Sequence, residues 1–139
     1  MLLAGDLVAK VSDFGMAREL ESVYSGVEQQ TAASVGPIRW MAPEQLTRLA
    51  YSRASDVFAF GVLLYEIWAR AAPWAGLANV NVITQVVTGA RMQLPDDSAG
   101  VPAEALAITA RCWAHEARDR PSMREVGAAL DEAISKEWK

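Results

Sequence analysis

The amino-acid sequence predicts a mainly α-helical fold, in which a short β-hairpin and a long loop precede four to five packed helices. Three observations predict it. Residues 56–69, DVFAFGVLLYEIWA, are apolar on nearly every side but contain Asp56 and Glu66 and are too short for a membrane span, which suits a helix buried inside a protein. Ser122 followed three residues later by Glu125, just after Pro121, has the form of a helix capping box. Strand-like pieces occur only within the first eleven residues.

Taken in order, Met1–Ala4 and Leu7–Val11 are the two β-like pieces, with Gly5-Asp6 as the turn between them. From Asp13 to Pro43 there is little periodicity, and SGVEQQTAASVG has the Ser, Thr, Gln, Gly and Ala content of an exposed loop. A loop of that length in a compact domain is usually functional or mobile. Ser52 or Ser55 can start the apolar helix, which runs to about Trp68 and is broken by Pro73 and Gly76. Asn79 to Val87 reads as a short helix ended by Gly89, and QLPDDSAGVP as a loop. Pro102 suits the first position of the next helix, which carries Leu106, Ile108, Ala110 and Trp113. In the last helix Met123, Val126, Leu130 and Ile134 recur at helical spacing, so that face is expected to dock on the core.

The 139 residues are 52% hydrophobic and 22% charged, with a formal charge of −4, so the chain has the size and composition of one domain and no basic footprint for nucleic acid. Cys112 is the single cysteine, which excludes an internal disulfide; beside Trp113 it reads as a reduced core thiol, and a reducing, cytoplasmic setting is the matching expectation. Met1-Leu2-Leu3-Ala4 runs into Gly5-Asp6 without the form of a signal peptide, and no stretch reads as a membrane segment. His115, the sole histidine, is expected at the surface near a helix end, and Trp68, Trp74 and Trp113 in packing roles.

Four motifs carry chemistry. Asp13-Phe14-Gly15 follows a strand. A carboxylate there can hold Mg²⁺ between two phosphates, although taken alone the tripeptide fits an ordinary Asp-containing turn equally well. Trp40-Met41-Ala42-Pro43-Glu44 ends 31 positions after Asp13. SDVFAFGVLLYEIW and then CWAHEARDRPSM follow. In this order and spacing the motifs resemble the C-terminal lobe of a eukaryotic protein kinase of the tyrosine or tyrosine-kinase-like group. The resemblance runs over residues 1–134, and makes the chain, residues 1–139, a partial kinase domain in which residues 13–44 form the activation segment.

The resemblance implies ATP and Mg²⁺ as cofactors and a protein as substrate. Asp13 corresponds to the Mg²⁺-binding aspartate, and Ser12, Phe14 and Gly15 to the ATP-site and activation-switch residues around it. Glu44 and Arg120 correspond to a buried ion pair that ties the activation segment to the late helices, and Asp56 to the aspartate that holds the catalytic-loop backbone; these are structural. Pro37-Ile38-Arg39-Trp40 resembles the tyrosine-kinase form of the substrate-binding loop, Pro37 standing where serine/threonine kinases usually carry threonine; Gly36 is closer to the serine/threonine pattern. Tyrosine is favoured as acceptor. Tyr24, Ser25, Thr31 and Ser34 are the candidate phosphorylation positions, Tyr24 first, with Arg18 at hand as a partner; a solvated hydroxyl-rich loop is the alternative. Two departures from the pattern, Phe58 for Trp and Ala117 for Pro, fall at packing or turn positions.

No catalytic base is assigned. In the family the catalytic loop, His-Arg-Asp with an Asn further on, precedes the metal aspartate by about the length of Met1 to Ser12, so the base, the second metal ligand, the Gly-rich loop and the phosphate-binding lysine are expected upstream of Met1. The chain by itself is therefore expected to be inactive and, lacking the family's long helix before the catalytic loop, only marginally stable. The competing expectation is a non-catalytic module that engages another kinase, a substrate or a chaperone.

Overall fold

The computed structural model describes residues 2–3, 9–11, 38–96 and 100–137. The chain divides into two compact units, Met1–Ala32 and Ala33–Lys139.

In the first unit the described residues form two short antiparallel strands, β1 (Leu2–Leu3) and β2 (Ala9–Lys10), with Leu2 opposite Lys10 and Leu3 opposite Ala9. Both strands fall inside the two β-like pieces; Gly5-Asp6, read as the turn between them, lies outside the described residues.

The second unit is helical: a 3-10 turn at Ile38–Trp40, then α1 (Pro43–Arg48), α2 (Arg53–Ala69), α3 (Asn79–Val87), α4 (Ala103–Cys112), a 3-10 turn at Ala117–Asp119 and α5 (Met123–Glu137). Helix α2 starts where the serines direct. The Ser55 N–H donates to Ser52 Oγ at 3.2 Å and the Ser52 N–H to Ser55 Oγ at 2.9 Å, so two otherwise orphaned donors are satisfied at its N-terminus. It ends at Arg70, whose φ of 49° is left-handed and turns the chain out of the helix. Helix α5 opens with the expected box: the Ser122 N–H donates to Glu125 Oε2 at 2.7 Å and the Glu125 N–H to Ser122 Oγ at 3.3 Å. Pro102 sits one residue earlier than expected, at the N-cap of α4 rather than inside its first turn.

Helix α2 is the hub. Phe58 and Val62 face one buried cluster with Ala42, Val82, Val86 and Trp113, while Val57 faces another with Ile108, Cys112 and Val126. This two-sided burial explains why the helix is apolar all round. Gly61 lies against α4 so closely that a Cβ there would stand 2.7 Å from Cys112 Cβ. Cys112 is fully buried, and burial pushes its thiol up to about 11, as suits an inert core sulfur. Thr109, also buried, is satisfied by donating to the Ala105 carbonyl at 2.7 Å and accepting from Trp68 Nε1 at 3.0 Å.

The α5 expectation needs correction. Val126 and Ala133 are buried and Ala129 and Leu130 pack on the core, but Met123 and Ile134 are exposed. The docked stripe is 126, 129, 130 and 133. It uses two alanines, which admit α4 closely, in place of the two larger side chains. Among the described residues no helix is long and apolar enough to cross a membrane.

Candidate functional site

Two linked features are built around the segment that leads into α1. The first is an ion pair. Pro43 at the first helical position fixes the entry to α1, and Glu44 follows it in the first turn. Arg120 arrives from the far end of the chain, just after the 117–119 turn. Its Nη1 donates to Glu44 Oε1 at 2.6 Å and its Nη2 to Glu44 Oε2 at 2.8 Å, a bidentate pair joining positions 76 apart. The Arg120 side chain has no exposed surface and Glu44 keeps 12%. The remaining donors are also used: Nε on the Ala114 carbonyl at 2.9 Å, Nη1 on that of Ala54 at 3.0 Å and Nη2 on that of His115 at 3.0 Å. A guanidinium so buried is tolerable because every nitrogen finds an acceptor. Burial pushes the Glu44 carboxyl up, but the hydrogen bond from Arg120, its backbone bond and the charges of Arg120 and Arg48 outweigh it and hold the group below its ordinary value.

Phe58 lies within this network. The Arg120 guanidinium stands 5.1 Å from its ring centroid, and so does that of Arg91. Arg91 was not singled out in the sequence, where it is one arginine in an unremarked loop. In the fold its Nε donates to the Trp113 carbonyl at 2.7 Å, and its Nη1 to the carbonyls of Ala90 at 2.6 Å and Val86 at 3.1 Å. Its Nη2 is buried with no partner among the described residues. Burial and the neighbouring Arg120 charge lower its pKa to about 10, with Glu44 opposing. The Ala90 and Val86 carbonyls are local, but nothing local signals the rest of this role, because the Trp113 carbonyl and the Phe58 ring are brought to Arg91 only by folding.

The second feature is the turn at Ile38–Trp40. Trp40 Nε1 donates to Glu66 Oε2 on α2 at 2.8 Å. Arg39 donates through Nη1 to the carbonyls of Pro73 at 2.8 Å and Trp74 at 2.6 Å, and through Nη2 to that of Leu77 at 2.5 Å. Ile38 and Trp40 pack against the first buried cluster.

The structure thus brings Glu44 and Arg120 into contact and places Ile38, Arg39 and Trp40 in one anchored turn. Asp56 is exposed in the first turn of α2. His115 is exposed beyond the end of α4, and it helps line a cavity of about 150 Å³ with Glu44, Arg48 and Glu116. Ser12, Asp13, Phe14, Gly15, Tyr24, Ser25, Thr31, Ser34 and Pro37 lie outside the described residues. Among the described residues no group of three or more His, Cys, Asp or Glu could hold a metal ion.

Comparison with known proteins agrees with the motif order. Residues 1–130 match the family model for protein tyrosine and serine/threonine kinases. The chain is 39% identical over 132 residues to the insulin-like receptor of Drosophila melanogaster, covering 94% of this chain and 6% of that protein. It is 38% identical over 127 residues to the tyrosine-protein kinase csk-1 of Caenorhabditis elegans, covering 91% of this chain and 22% of that protein. With the high affinity nerve growth factor receptor of Rattus norvegicus it shares 37% identity over 131 residues, 93% of this chain and 16% of the receptor. The chain therefore spans less than a quarter of the length of each of these relatives. With a family model matched over residues 1–130, a helical fold of the expected order and the pairing of Glu44 with Arg120, this chain belongs to the protein tyrosine and serine/threonine kinase family.

Proposed function

We propose that the chain is the substrate-binding part of a protein kinase, which transfers the terminal phosphoryl group of ATP to protein with tyrosine favoured over serine or threonine. The observation that carries the reading is the similarity, across 91% of the chain, to a protein named as a tyrosine-protein kinase. The anchored segment 38–44 supports it, because a loop that must present a protein substrate has to be held in place by rigid elements.

In this reading ATP and Mg²⁺ are the cofactors, and Asp13 is the residue of this chain that holds the metal. Phosphoryl transfer depends on positioning and charge stabilisation, and no His-Arg-Asp followed by Asn, nor any Gly-rich loop, occurs in the sequence. The chain alone is accordingly incompetent. Incubated with ATP, Mg²⁺ and a Glu/Tyr copolymer it is expected to transfer no phosphate; phosphorylation that disappears in Asp13→Ala would overturn this. The acceptor is tested by placing residues 1–130 in the matching part of the csk-1 kinase. Phosphorylation of tyrosine peptides is expected, and a preference for serine or threonine would reverse the assignment. A cytoplasmic setting belongs to the same proposal and rests on the buried, unpaired Cys112; recovery of the endogenous protein from a secreted fraction would contradict it.

A further inference from the structure

Arg39 stands in the turn assigned to protein-substrate contact, yet both of its Nη atoms are engaged within the chain. Their three acceptors, the carbonyls of Pro73, Trp74 and Leu77, come from one tight turn. That turn closes through the Leu77 N–H, which donates to the Trp74 carbonyl at 3.1 Å. Trp74 adopts a φ of 54°, left-handed backbone that is unfavourable for a side chain of its size. Three carbonyl oxygens converging beside a strained residue repel one another unless a cation lies between them. The planar guanidinium fork meets all three, which a lysine ammonium, a single point charge, does less well.

The turn ends where the exposed Leu77 and Val80 lead into α3, and Trp40 ties the other side of the 38–40 segment to Glu66. We infer that Arg39 is a positioning residue: its guanidinium clamps the 38–40 turn to the 73–77 turn and so fixes the placement of the segment assigned to substrate contact. The inference rests on the kinase reading above for the identity of the substrate, but the clamp itself is local geometry.

Amide hydrogen exchange on the full chain reads the clamp without an activity assay. In Arg39→Met the Leu77 amide is expected to exchange about tenfold faster or more, while amides of α2 and α4 keep their protection. Arg39→Lys should fall between, since it restores charge without the fork; if the Met variant unfolds altogether, the Lys variant decides by the same local readout. Unchanged protection at Leu77 in a folded variant overturns the clamp. A second readout is the anisotropy of a fluorescein-labelled Glu/Tyr peptide, whose affinity for the chain should fall about tenfold in Arg39→Met, a loss of roughly one tenfold step in binding. A wild-type chain that binds no such peptide overturns the substrate reading together with the role given to Arg39 in it, and leaves the exchange result to judge the clamp. Equal binding by wild type and Arg39→Met overturns the positioning role alone.

Discussion

Arg120 bonds to Glu44 and to three main-chain carbonyls, so removing it strands a buried carboxylate and several acceptors at once. Arg120→Met is expected to lower stability by about 3–5 kcal/mol in chemical denaturation, and Arg120→Met combined with Glu44→Gln by less than the two single losses together. The pair also shapes the acid response. Unfolded, Glu44 titrates near its ordinary value of 4.5; folded, it titrates lower. Above 4.5 it is ionised in both states and its contribution is fully present. As pH falls from about 4.5 through the lowered folded value, the unfolded chain takes up the proton first and that stability is lost. Glu44→Gln should flatten this part of the stability–pH curve, and an unchanged acid slope would show that the carboxylate is not the group responsible. The motif resemblance named Glu44 and Arg120 as partners, but the Ala54 carbonyl on Arg120, and the second guanidinium of Arg91 on Phe58, are brought there only by folding.

At the scale of elements, local chemistry was enough for most boundaries. Ser52 and Ser122 begin their helices because their hydroxyls satisfy N–H groups that the first turn leaves open, and Asn79–Val87 is followed by Gly89 at a φ of 94°. Faces were less legible. Exposed Met123 and Ile134 have the same spacing as buried residues, and only the approach of α4 selects Ala129 and Ala133. The α2–α4 contact depends on a missing side chain in the same way. Gly61→Ala places a Cβ 2.7 Å from Cys112 Cβ, so a loss of about 1–3 kcal/mol is expected although alanine favours a helix by about 1 kcal/mol. Adding Cys112→Gly should recover part of it, and additive losses in that double-mutant cycle would exclude the contact as the cause.

For the whole molecule, burial is uneven. Both apolar clusters lie in the Ala33–Lys139 unit, yet Ile67 is 47% and Ile134 54% exposed on two of its longest helices. Isolated apolar residues are ordinary on a surface, but they can join molecules once heating loosens the fold. Ile67→Lys with Ile134→Lys is expected to reduce light scattering on heating while leaving the unfolding free energy within about 0.5 kcal/mol of wild type, and so the denaturation midpoint nearly unchanged. A large fall in the midpoint would show that these side chains already stabilise the fold.

The sequence by itself determined the family, the helix order, the caps and the pairing of Glu44 with Arg120, because each is written in short-range spacing or in a motif of fixed residues. Tertiary structure alone decided which face of α5 is buried, the register of the hairpin, and the use of Arg39 to bind the carbonyls of the 73–77 turn and of Arg91 to bind that of Trp113. The reason is physical: a main-chain carbonyl carries no side-chain signature, so the sequence can show that a guanidinium is present but not which turn will fold up against it.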